Sequence, residues 1–475
     1  MQRQTKIIAT MGPAVASAES VRALVDAGMD VARLNFSHGD HDLHRQFHEW
    51  IRAAAADSGH TVAIMQDIQG PKLRVGEFPD GGIDLKTDSE VDLLPGAEIG
   101  AAGQIPVGYE SLLTDVHPGD RVLLDDGLVA CEVVERSDDT LRARVVTGGE
   151  LTDHKGVAFP DSSLSVRNIT PKDEEDLALG RELGVDFVAA SFVRSGADVE
   201  AVASLTEDTP IIAKIELAQA LDNLDDILKV SFGVMVARGD LGVQLPLDRL
   251  PLIQSDIIHR ANATGRVSVT ATEMLESMTH NARPTRAEVT DVANAVMNGT
   301  DAVMLSGETA IGEYPVRTIE AMAQICSTIE AGTLSGETPV PFVGGENDVA
   351  SAVAQAATQI AKNVGARTIV AFTESGSTAR LISKYRPTQR VVAFTPNTTT
   401  RRRMALYWGI HPHTFERKQY TDAELASAAE ILESDGLATA GETVVMVAGV
   451  PPNVRAATNL VKVHQIGEVS GALGG

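Results

Sequence analysis

The sequence predicts an α/β fold in three parts: a TIM (β/α)8 barrel, a small all-β domain inserted after its third strand, and a C-terminal α/β domain. Three observations lead to this prediction. Eight short apolar segments alternate with helical segments, and polar residues follow most of them. A long gap after the third segment interrupts this alternation. A stretch containing Gly and Pro then precedes a further group of strands.

The first part of the barrel is predicted over residues 1–70, with strands at 6–11, 31–37 and 62–68. A helix from about Ser17 ends at Gly28, a residue suited to a left-handed C-cap. The second strand places Arg33, Asn35 and Ser37 on one face, because side chains alternate along a strand. In a parallel strand this polar face indicates a site at the strand end, although a solvated edge strand would give the same pattern.

The inserted domain is predicted over residues 71–166. Its sequence consists of short alternating runs separated by Gly, Pro and Asp, and Asp126 and Gly127 lie where a hairpin turn is expected. Both ends of this domain are tethered next to the third strand. We therefore expect it to act as a lid over the end of the barrel.

The barrel resumes over residues 167–335. Thr170 and Pro171 are typical of the N-cap and first position of a helix, and Gly184 of its end. Five more strands are predicted, at 186–193, 211–216, 233–240, 267–273 and 302–308. Eight βα units with polar residues at the strand ends favour a closed barrel over an open doubly wound sheet.

The C-terminal α/β domain is predicted over residues 346–475, after a linker at 330–345 that contains Gly and Pro. An Ala-rich helix opens this domain. Four strands are expected to follow, at 368–373, 390–395, 443–448 and 460–466. Their alternation with helical segments is typical of a separate, smaller α/β domain.

The strongest chemical signal is the run IIAKIE at 211–216. Lys214 and Glu216 share a face of the strand, and Asp240, preceded by Gly239, closes the next predicted strand. A lysine beside two carboxylates at neighbouring strand ends indicates a divalent cation next to a phosphate or an enolate. A purely structural salt bridge between Lys214 and Glu216 is the alternative.

Composition excludes several classes of protein. A formal net charge of −25 argues against nucleic acid or an anionic membrane surface as the main partner. Two cysteines, Cys131 and Cys326, do not make a disulfide framework. The N-terminus lacks the apolar core of a signal peptide and no run reaches membrane-spanning length, so a cytoplasmic location is expected.

Nine motifs, in this order and around such an insertion, resemble the pyruvate kinase family: TMGPA, VARLNFSHGD, D-x-x-GPK-x-R, AKIE, MVARGDLGV, TATEML, RPTRAE, DVANAV and GTDAVMLSGET. The resemblance covers nearly all of the barrel, and the C-terminal domain mainly by architecture. It implies transfer of the phosphoryl group of phosphoenolpyruvate to ADP, giving pyruvate and ATP, with Mg²⁺ or Mn²⁺ as cofactor. It also implies a homotetramer.

The resemblance implies roles residue by residue. The implied catalytic residues are Lys214, Arg33 and Thr272. The implied substrate-binding residues are Arg33, Lys214, Gly239, Asp240 and Thr272. The implied ligands of the divalent metal are Glu216 and Asp240. The implied nucleotide-binding residues are Asn35, His38, Arg74 and Lys155. Lysine, arginine and a metal-binding carboxylate pair also suit phosphoryl transfer on physical grounds, because that reaction depends on positioning and charge neutralisation.

The run DIQGPKLR departs from the potassium-dependent members of the family, which usually have DTKGPE-x-R. Lys72 stands where their Glu helps to hold a monovalent cation. The other implied members of that site are Asn35, Ser37, Asp67 and Ile68. Because an ammonium group carries the same charge as K⁺, the hypothesis is that Lys72 acts as a built-in cation and that K⁺ is dispensable. A solvent-facing Lys72 with K⁺ still bound is the alternative.

The C-terminal domain contains a candidate effector site. A loop before a predicted helix carries Thr373, Ser375, Ser377 and Thr378, and hydroxyl and N–H groups at a helix N-terminus bind anions. By resemblance this loop holds an allosteric phosphate compound. The alternative is an N-cap without a ligand, and Glu374 would repel a phosphate.

Two other functions share these residues. A Mg²⁺-dependent enolpyruvate lyase or aldolase could use the same lysine and carboxylates, without needing a lid or ADP. A non-catalytic sugar-phosphate sensor would depend on the C-terminal domain alone. The complete set of Arg33, Lys214, Glu216, Asp240 and Thr272 argues against the sensor.

Overall fold

The computed structural model describes residues 3–333, 348–450 and 458–467. The strands up to the end of the insertion are β1 (Lys6–Thr10), β2 (Val31–Asn35), β3 (Ala63–Asp67), β4 (Gly82–Leu85), β5 (Glu90–Pro95), β6 (Gln104–Val107), β7 (Arg121–Leu124), β8 (Val129–Arg136), β9 (Leu141–Thr147), β10 (Gly149–Thr152) and β11 (Val157–Ala158). Those that follow are β12 (Phe187–Ala190), β13 (Ile211–Ile215), β14 (Gly233–Ala237), β15 (Val267–Ala271), β16 (Ala302–Leu305), β17 (Thr368–Phe372), β18 (Arg390–Thr395), β19 (Ile410–Thr414), β20 (Thr443–Ala448) and β21 (Leu460–Gln465).

Helices separate most of the parallel strands. They are α1 (Ala18–Ala27), α2 (His41–Ser58), α3 (Leu112–Asp115), α4 (Pro171–Leu183), α5 (Gly196–Leu205), α6 (Ala218–Asp222), α7 (Leu224–Val230), α8 (Arg238–Gln244), α9 (Leu250–Ala263), α10 (Arg286–Met297), α11 (Gly307–Ala310), α12 (Pro315–Thr333), α13 (Val349–Asn363), α14 (Ser377–Lys384), α15 (Thr398–Arg403) and α16 (Thr421–Ser434). The predicted N-cap at Thr170 is present, where it forms a capping box with Asp173, and Gly184 adopts the left-handed conformation at the end of α4.

The eight-stranded barrel is closed, which confirms the predicted TIM barrel. Its strands are all parallel, in the order β1-β16-β15-β14-β13-β12-β3-β2, so the first strand pairs with the last. Residues on both faces of these strands are buried, against the helices outside and against each other inside. This explains why the strands appear in the sequence as continuous apolar runs.

The inserted domain is built on β-sheets, as predicted, with one short helix, α3. It has a six-stranded sheet in the order β11-β7-β8-β9-β5-β6 and a two-stranded sheet of β10 and β4. The hairpin of β7 and β8 turns at the predicted place, where Asp126 and Gly127 both have positive φ, 52° and 87°. The flanking strands β3 and β12 are neighbours in the barrel, so the insertion leaves and re-enters at one point of the rim.

The C-terminal domain contains a five-stranded sheet in the order β19-β18-β17-β20-β21, with β21 antiparallel to its neighbour. Strand β19 was not predicted from the sequence, because its residues IHPHT include Pro and two His rather than an apolar run. The predicted linker is wrong at its start, since residues 330–333 belong to α12 and buried Glu330 accepts the Thr5 backbone N–H at 2.6 Å. Residues 334–345 lie outside the described residues.

Several predicted strands end earlier than expected, and in two of them the last predicted residues belong to a helix. The segment predicted at 233–240 leaves the strand after Ala237, and Gly239 and Asp240 lie in the first turn of α8. The segment predicted at 302–308 ends at Leu305, and Glu308 lies in α11. In both places the polar residues that end the motif belong to the helix that follows the strand.

A buried ionic cluster joins the barrel to the C-terminal domain. Asp301, directly before β16, accepts hydrogen bonds from Lys384 of α14 and, at 2.8 Å, from Arg386. Its other partners include the backbone N–H of Ser268 at 2.8 Å. Burial lowers the pKa of Lys384 to about 7, although Asp301 opposes this effect. The carboxylate of Asp301 in the barrel and the cations of Lys384 and Arg386 in the C-terminal domain therefore pair with each other in the interior. If the domains separated, these charges would lose their partners.

We expect Asp301→Asn to destabilise the contact between the two domains. Lys384 and Arg386 would remain buried without a counter-charge, and breaking such a pair lowers the free energy of unfolding by about 3–5 kcal/mol. The measurement is the first transition in urea unfolding followed by circular dichroism. Asp26→Asn, which removes an exposed ion pair with Arg22, is the control and should change little. Equal shifts in the two variants would contradict the role of Asp301.

Candidate active site

The candidate site lies where the C-terminal ends of the barrel strands face the inserted domain. A cleft separates them. Residues from both sides line it, among them Lys72, Asp126, Gly156, Phe192, Glu216 and Asp240. This is the end of a TIM barrel at which catalytic residues are found, because loops from several strands converge there.

Lys214 is the centre of the charged residues in this cleft. Its Nζ lies 2.9 Å from Glu216 Oε1 and 3.2 Å from Asp67 Oδ1, and it donates a hydrogen bond of 2.7 Å to Ser191 Oγ. Only 12% of the side chain is exposed. Burial alone would lower the pKa of Lys214, but the charges of Asp67 and Glu216 outweigh it and the pKa is raised. The lysine is therefore held as a cation.

Arg33 places a second cation on the other oxygen of Asp67. Its Nε lies 2.6 Å from Asp67 Oδ2, and Nη1 donates to Thr10 Oγ1 at 3.0 Å. Burial opposes ionisation of Asp67, yet Arg33 and Lys214 together lower its pKa. One carboxylate thus holds two cations at fixed positions, and their remaining N–H groups are suited to an anionic substrate.

Glu216 and Asp240 form the predicted pair of carboxylates. Glu216 is buried, and its Oε2 accepts the backbone N–H of Phe192 at 2.6 Å. Burial raises the pKa of Glu216, and the charge of Asp240 raises it further, against the opposing effect of Lys214. Asp240 Oδ1 lies 3.1 Å from Lys72 Nζ. Two carboxylates whose charges oppose each other fit a divalent cation, which would relieve the repulsion.

Thr272 follows β15 in a left-handed backbone conformation, with φ at 61°. Its Oγ1 accepts the N–H of Gly239 at 2.9 Å and donates to the carbonyl of Ala271 at 2.7 Å. Arg238 donates to the Thr272 carbonyl from two guanidinium nitrogens, at 2.5 and 3.2 Å. The hydroxyl is therefore fixed at the site. The Gly239 N–H, predicted to meet the substrate, is bonded to this threonine.

The four predicted nucleotide-binding residues do not line the cleft themselves, although Leu73 and Gly156, the neighbours of Arg74 and Lys155, do. Arg74 donates to a backbone carbonyl of the inserted domain at 2.9 Å, and Lys155 Nζ lies 2.8 Å from the carboxylate of Asp125. Asn35 accepts a backbone N–H two residues further on, and His38 is exposed. Arg74 and Lys155 are thus both held by partners within the inserted domain.

Comparison with known proteins identifies the family. The barrel domain of pyruvate kinase matches residues 2–319, and its alpha/beta domain matches residues 351–464. The chain belongs to the pyruvate kinase family. A pyruvate kinase of Staphylococcus saprophyticus is 42% identical over 98% of this chain and 81% of its own, and one of Geobacillus stearothermophilus is 42% identical over 99% and 81%.

A crystal structure of a pyruvate kinase from Cryptosporidium parvum superposes with a TM-score of 0.90. It is 35% identical in sequence and covers 98% of this chain and 96% of its own. Membership of the pyruvate kinase family makes the chain a phosphotransferase of glycolysis. The lyase or aldolase alternative is not favoured by these matches. In the described part of the chain no helix combines the length and the apolarity needed to span a bilayer.

Two of the residues predicted for a monovalent cation site, Asp67 and Ile68, are already bonded within the protein. Asp67 is held by Arg33 and Lys214, and the carbonyl of Ile68 accepts the Ser191 hydroxyl at 2.7 Å. Among the described residues Lys72 makes its ion pair with Asp240, at the neighbouring carboxylate pair. The ammonium predicted for the monovalent site thus lies against a predicted ligand of the divalent metal.

Sequence reasoning missed Ser191 and Phe192, which follow β12. The Ser191 hydroxyl joins Lys214 to the carbonyl of Ile68, and the Phe192 N–H holds Glu216. Phe192 has a φ of 54°, a strained conformation for a residue with a bulky side chain. A polar residue at the end of the fourth predicted strand was the available signal.

The predicted effector loop is only partly open. Thr373 and Thr378 are buried and their hydroxyls form hydrogen bonds within the protein. Ser375 and Ser377 are exposed at the start of α14. Glu374, expected to repel a phosphate, lies 2.6 Å from an arginine that compensates its charge.

We expect Ser191→Ala to lower kcat about tenfold while KM for phosphoenolpyruvate changes less than about threefold. The Lys214 ammonium loses one of its three partners, and small displacements of a catalytic group act mainly on the chemical step. The measurement is steady-state kinetics, with Ser191→Thr expected to restore kcat. Ser231→Ala is the matched control, because the Ser231 hydroxyl is buried without a hydrogen-bond partner. An unchanged kcat in Ser191→Ala would show that the serine does not position Lys214.

Proposed function

We propose that this protein transfers the phosphoryl group of phosphoenolpyruvate to ADP in the cleft between the barrel and the inserted domain. Pyruvate and ATP are the products. The observation that carries the proposal is the arrangement of Lys214 and Arg33 on one carboxylate, beside the carboxylate pair of Glu216 and Asp240. This arrangement suits a substrate that carries both a phosphate and a carboxylate.

Glu216 and Asp240 would hold a divalent cation, Mg²⁺ or Mn²⁺. Their oxygens suit a hard cation, and Mg²⁺ is commonly held by one or two carboxylates together with substrate oxygens and water. When bound, the cation would neutralise charge on the transferring phosphate and on the enolate oxygen.

The side chains around this pair would position the reaction. Lys214 and Arg33 hold the transferring group by its oxygens, Lys214 as a compact charge and Arg33 as a planar fork. The bond between phosphorus and the enol oxygen breaks, and a bond forms between phosphorus and a terminal phosphate oxygen of ADP. The enolate then takes a proton at carbon, and the Thr272 hydroxyl holds the water that delivers it. Arg238 donates to the backbone carbonyl of Thr272 and so holds this residue in place.

The nucleotide is proposed to lie under the inserted domain. Arg74 and Lys155 reach its phosphates, and Asn35 and His38 contact it from the barrel. Closure of the inserted domain on the barrel would exclude water from the reacting phosphate. Lys155 would then exchange its ion pair with Asp125 for the phosphate.

The proposal includes regulation and assembly. A phosphorylated effector would bind the loop that carries Thr373, Ser375, Ser377 and Thr378 at the start of α14. The assembly proposed is a homotetramer and the location proposed is the cytoplasm, as in the family that the chain belongs to. The exposed hydroxyls of the two serines and the compensated charge of Glu374 support the effector loop.

We expect Lys214→Met to lower kcat about a thousandfold with a normal circular dichroism spectrum. Removal of one preorganised charge at a developing anion lowers rates by about 10²–10³, and here Asp67 and Glu216 also lose their shared cation. The measurement is pyruvate and ATP formation from phosphoenolpyruvate, ADP and Mg²⁺. Lys229→Met, at an exposed lysine, is the control. A kcat within tenfold of the original would contradict the assignment of Lys214.

We expect turnover to proceed without K⁺, because the Lys72 ammonium, 3.1 Å from Asp240, supplies a positive charge beside the carboxylate pair. In tetramethylammonium buffer, added K⁺ should change the rate less than about twofold, whereas Lys72→Glu should become dependent on K⁺. Initial rates of both proteins with and without K⁺ make the test. Turnover that appears only with added K⁺ would contradict the role of Lys72 and would still support the proposed reaction. No turnover in either buffer, from folded protein, would overturn the proposed reaction and favour the sensor.

A further inference from the structure

The end of the barrel opposite the active site packs on the C-terminal domain around two aromatic rings. Phe232 directly precedes β14, and its ring centroid lies 5.9 Å from that of Tyr407. Arg380 of α14 lies over the Phe232 ring, 5.2 Å from its centroid. Arg266 precedes β15 and Arg403 ends α15. We call Arg266, Arg380 and Arg403 the basic cluster.

The three arginines have no carboxylate partner within ion-pair distance among the described residues. Arg266 donates to the carbonyl of Lys229 at 2.7 Å and Arg403 to that of Asp208 at 3.0 Å. Nη1 of Arg380 and Nε of Arg403 are buried without any hydrogen-bond partner. Buried polar groups are nearly always satisfied, so unpaired guanidinium atoms require an explanation.

The surroundings of the basic cluster make this lack of partners more unusual. The chain has 65 acidic and only 40 basic residues. Close by, Arg52 and Arg402 share the carboxylate of Asp186, each at 2.8 Å. Asp186 thus pairs directly with two arginines of this interface but lies outside ion-pair distance of the three in the basic cluster. Burial lowers the pKa of Arg266, and the charge of Arg380 lowers it further.

We propose that the basic cluster is a binding site for a phosphate monoester dianion, separate from the active site and from the effector loop. Guanidinium groups bind phosphate oxygens through paired N–H groups, and three of them exceed the charge of one dianion. All three residues are partly exposed, so a ligand can reach the guanidinium nitrogens other than the buried Nη1 of Arg380 and Nε of Arg403. The rings of Phe232 and Tyr407 lie beside the cluster and offer an apolar surface to the organic part of the ester.

The position of the basic cluster connects both ends of the barrel. Strands β14 and β15 begin beside Phe232 and Arg266, and their far ends lead to Asp240 and Thr272. On the C-terminal side, the effector loop packs closely on the same tyrosine. A β-carbon added to Gly376 of this loop would lie only 3.0 Å from the Tyr407 hydroxyl. A ligand at the basic cluster would therefore fix the barrel strands against α14 and α15.

Isothermal titration calorimetry on the full chain, without substrate or nucleotide, tests the proposal. The probes are inorganic phosphate and a hexose monophosphate. We expect saturable binding that weakens at least about tenfold in Arg380→Gln, since a charged hydrogen bond of this kind contributes about that factor. Equal affinity for both probes would identify free phosphate as the ligand, and tighter binding of the hexose monophosphate an ester.

Matched variants separate this site from the others. Arg401→Gln, on the same helix as Arg403 but bonded to Thr61, should bind as the original chain does. Ser377→Ala alters the effector loop and should leave this affinity unchanged. If Arg380→Gln does not fold, Arg403→Gln takes its place in the titration. In the absence of the probes, Arg380→Gln and Arg403→Gln should each have the kcat of the original chain. The proposal is overturned by absence of saturable binding, by full affinity in the basic-cluster variants, or by a loss confined to Ser377→Ala.

Discussion

The active site depends on one constraint: charge buried in a protein interior must be paired. Asp67 is fully enclosed, and Arg33 and Lys214, which hold its two oxygens, lower its pKa against the effect of burial. That pairing fixes the positions of both cations relative to the barrel strands. Glu216 shares Lys214 and is itself buried, so all four groups form a single electrostatic unit. Such a preorganised unit needs little rearrangement when negative charge moves during phosphoryl transfer.

Strained backbone at two strand ends maintains this unit. Phe192 and Thr272 have left-handed φ angles, 54° and 61°, which a residue with a β-carbon adopts only when its surroundings require it. The strain turns the Phe192 N–H towards Glu216 and the Thr272 hydroxyl towards Gly239. The unfavourable backbone conformation of these two residues thus places their hydrogen bonds. The rigid closed barrel holds both residues in that conformation.

Much of the fold follows from local pattern, and the site follows only in part. Buried parallel strands are visible as apolar runs, and the hairpin turn at Asp126 is visible from its turn residues. Strand β19 was not visible in the sequence, because its stability comes from pairing with β18 and not from its own residues. Lys214 and Glu216 could be predicted from alternation along one strand. Ser191 and the Lys72 contact with Asp240 depend on distances between separate loops, which no local pattern contains.

Closure of the barrel by its first and last strands determines when the chain can fold. β1 pairs with β16, almost 300 residues later, so a ribosome must release both before the barrel exists. The inserted domain has its own hydrophobic core and pairs only within itself, so it can fold while the rest is being made. During synthesis the inserted domain can therefore be folded before the active site exists, while the incomplete barrel still exposes unpaired strand edges. We expect chaperones to bind the incomplete barrel rather than the inserted domain.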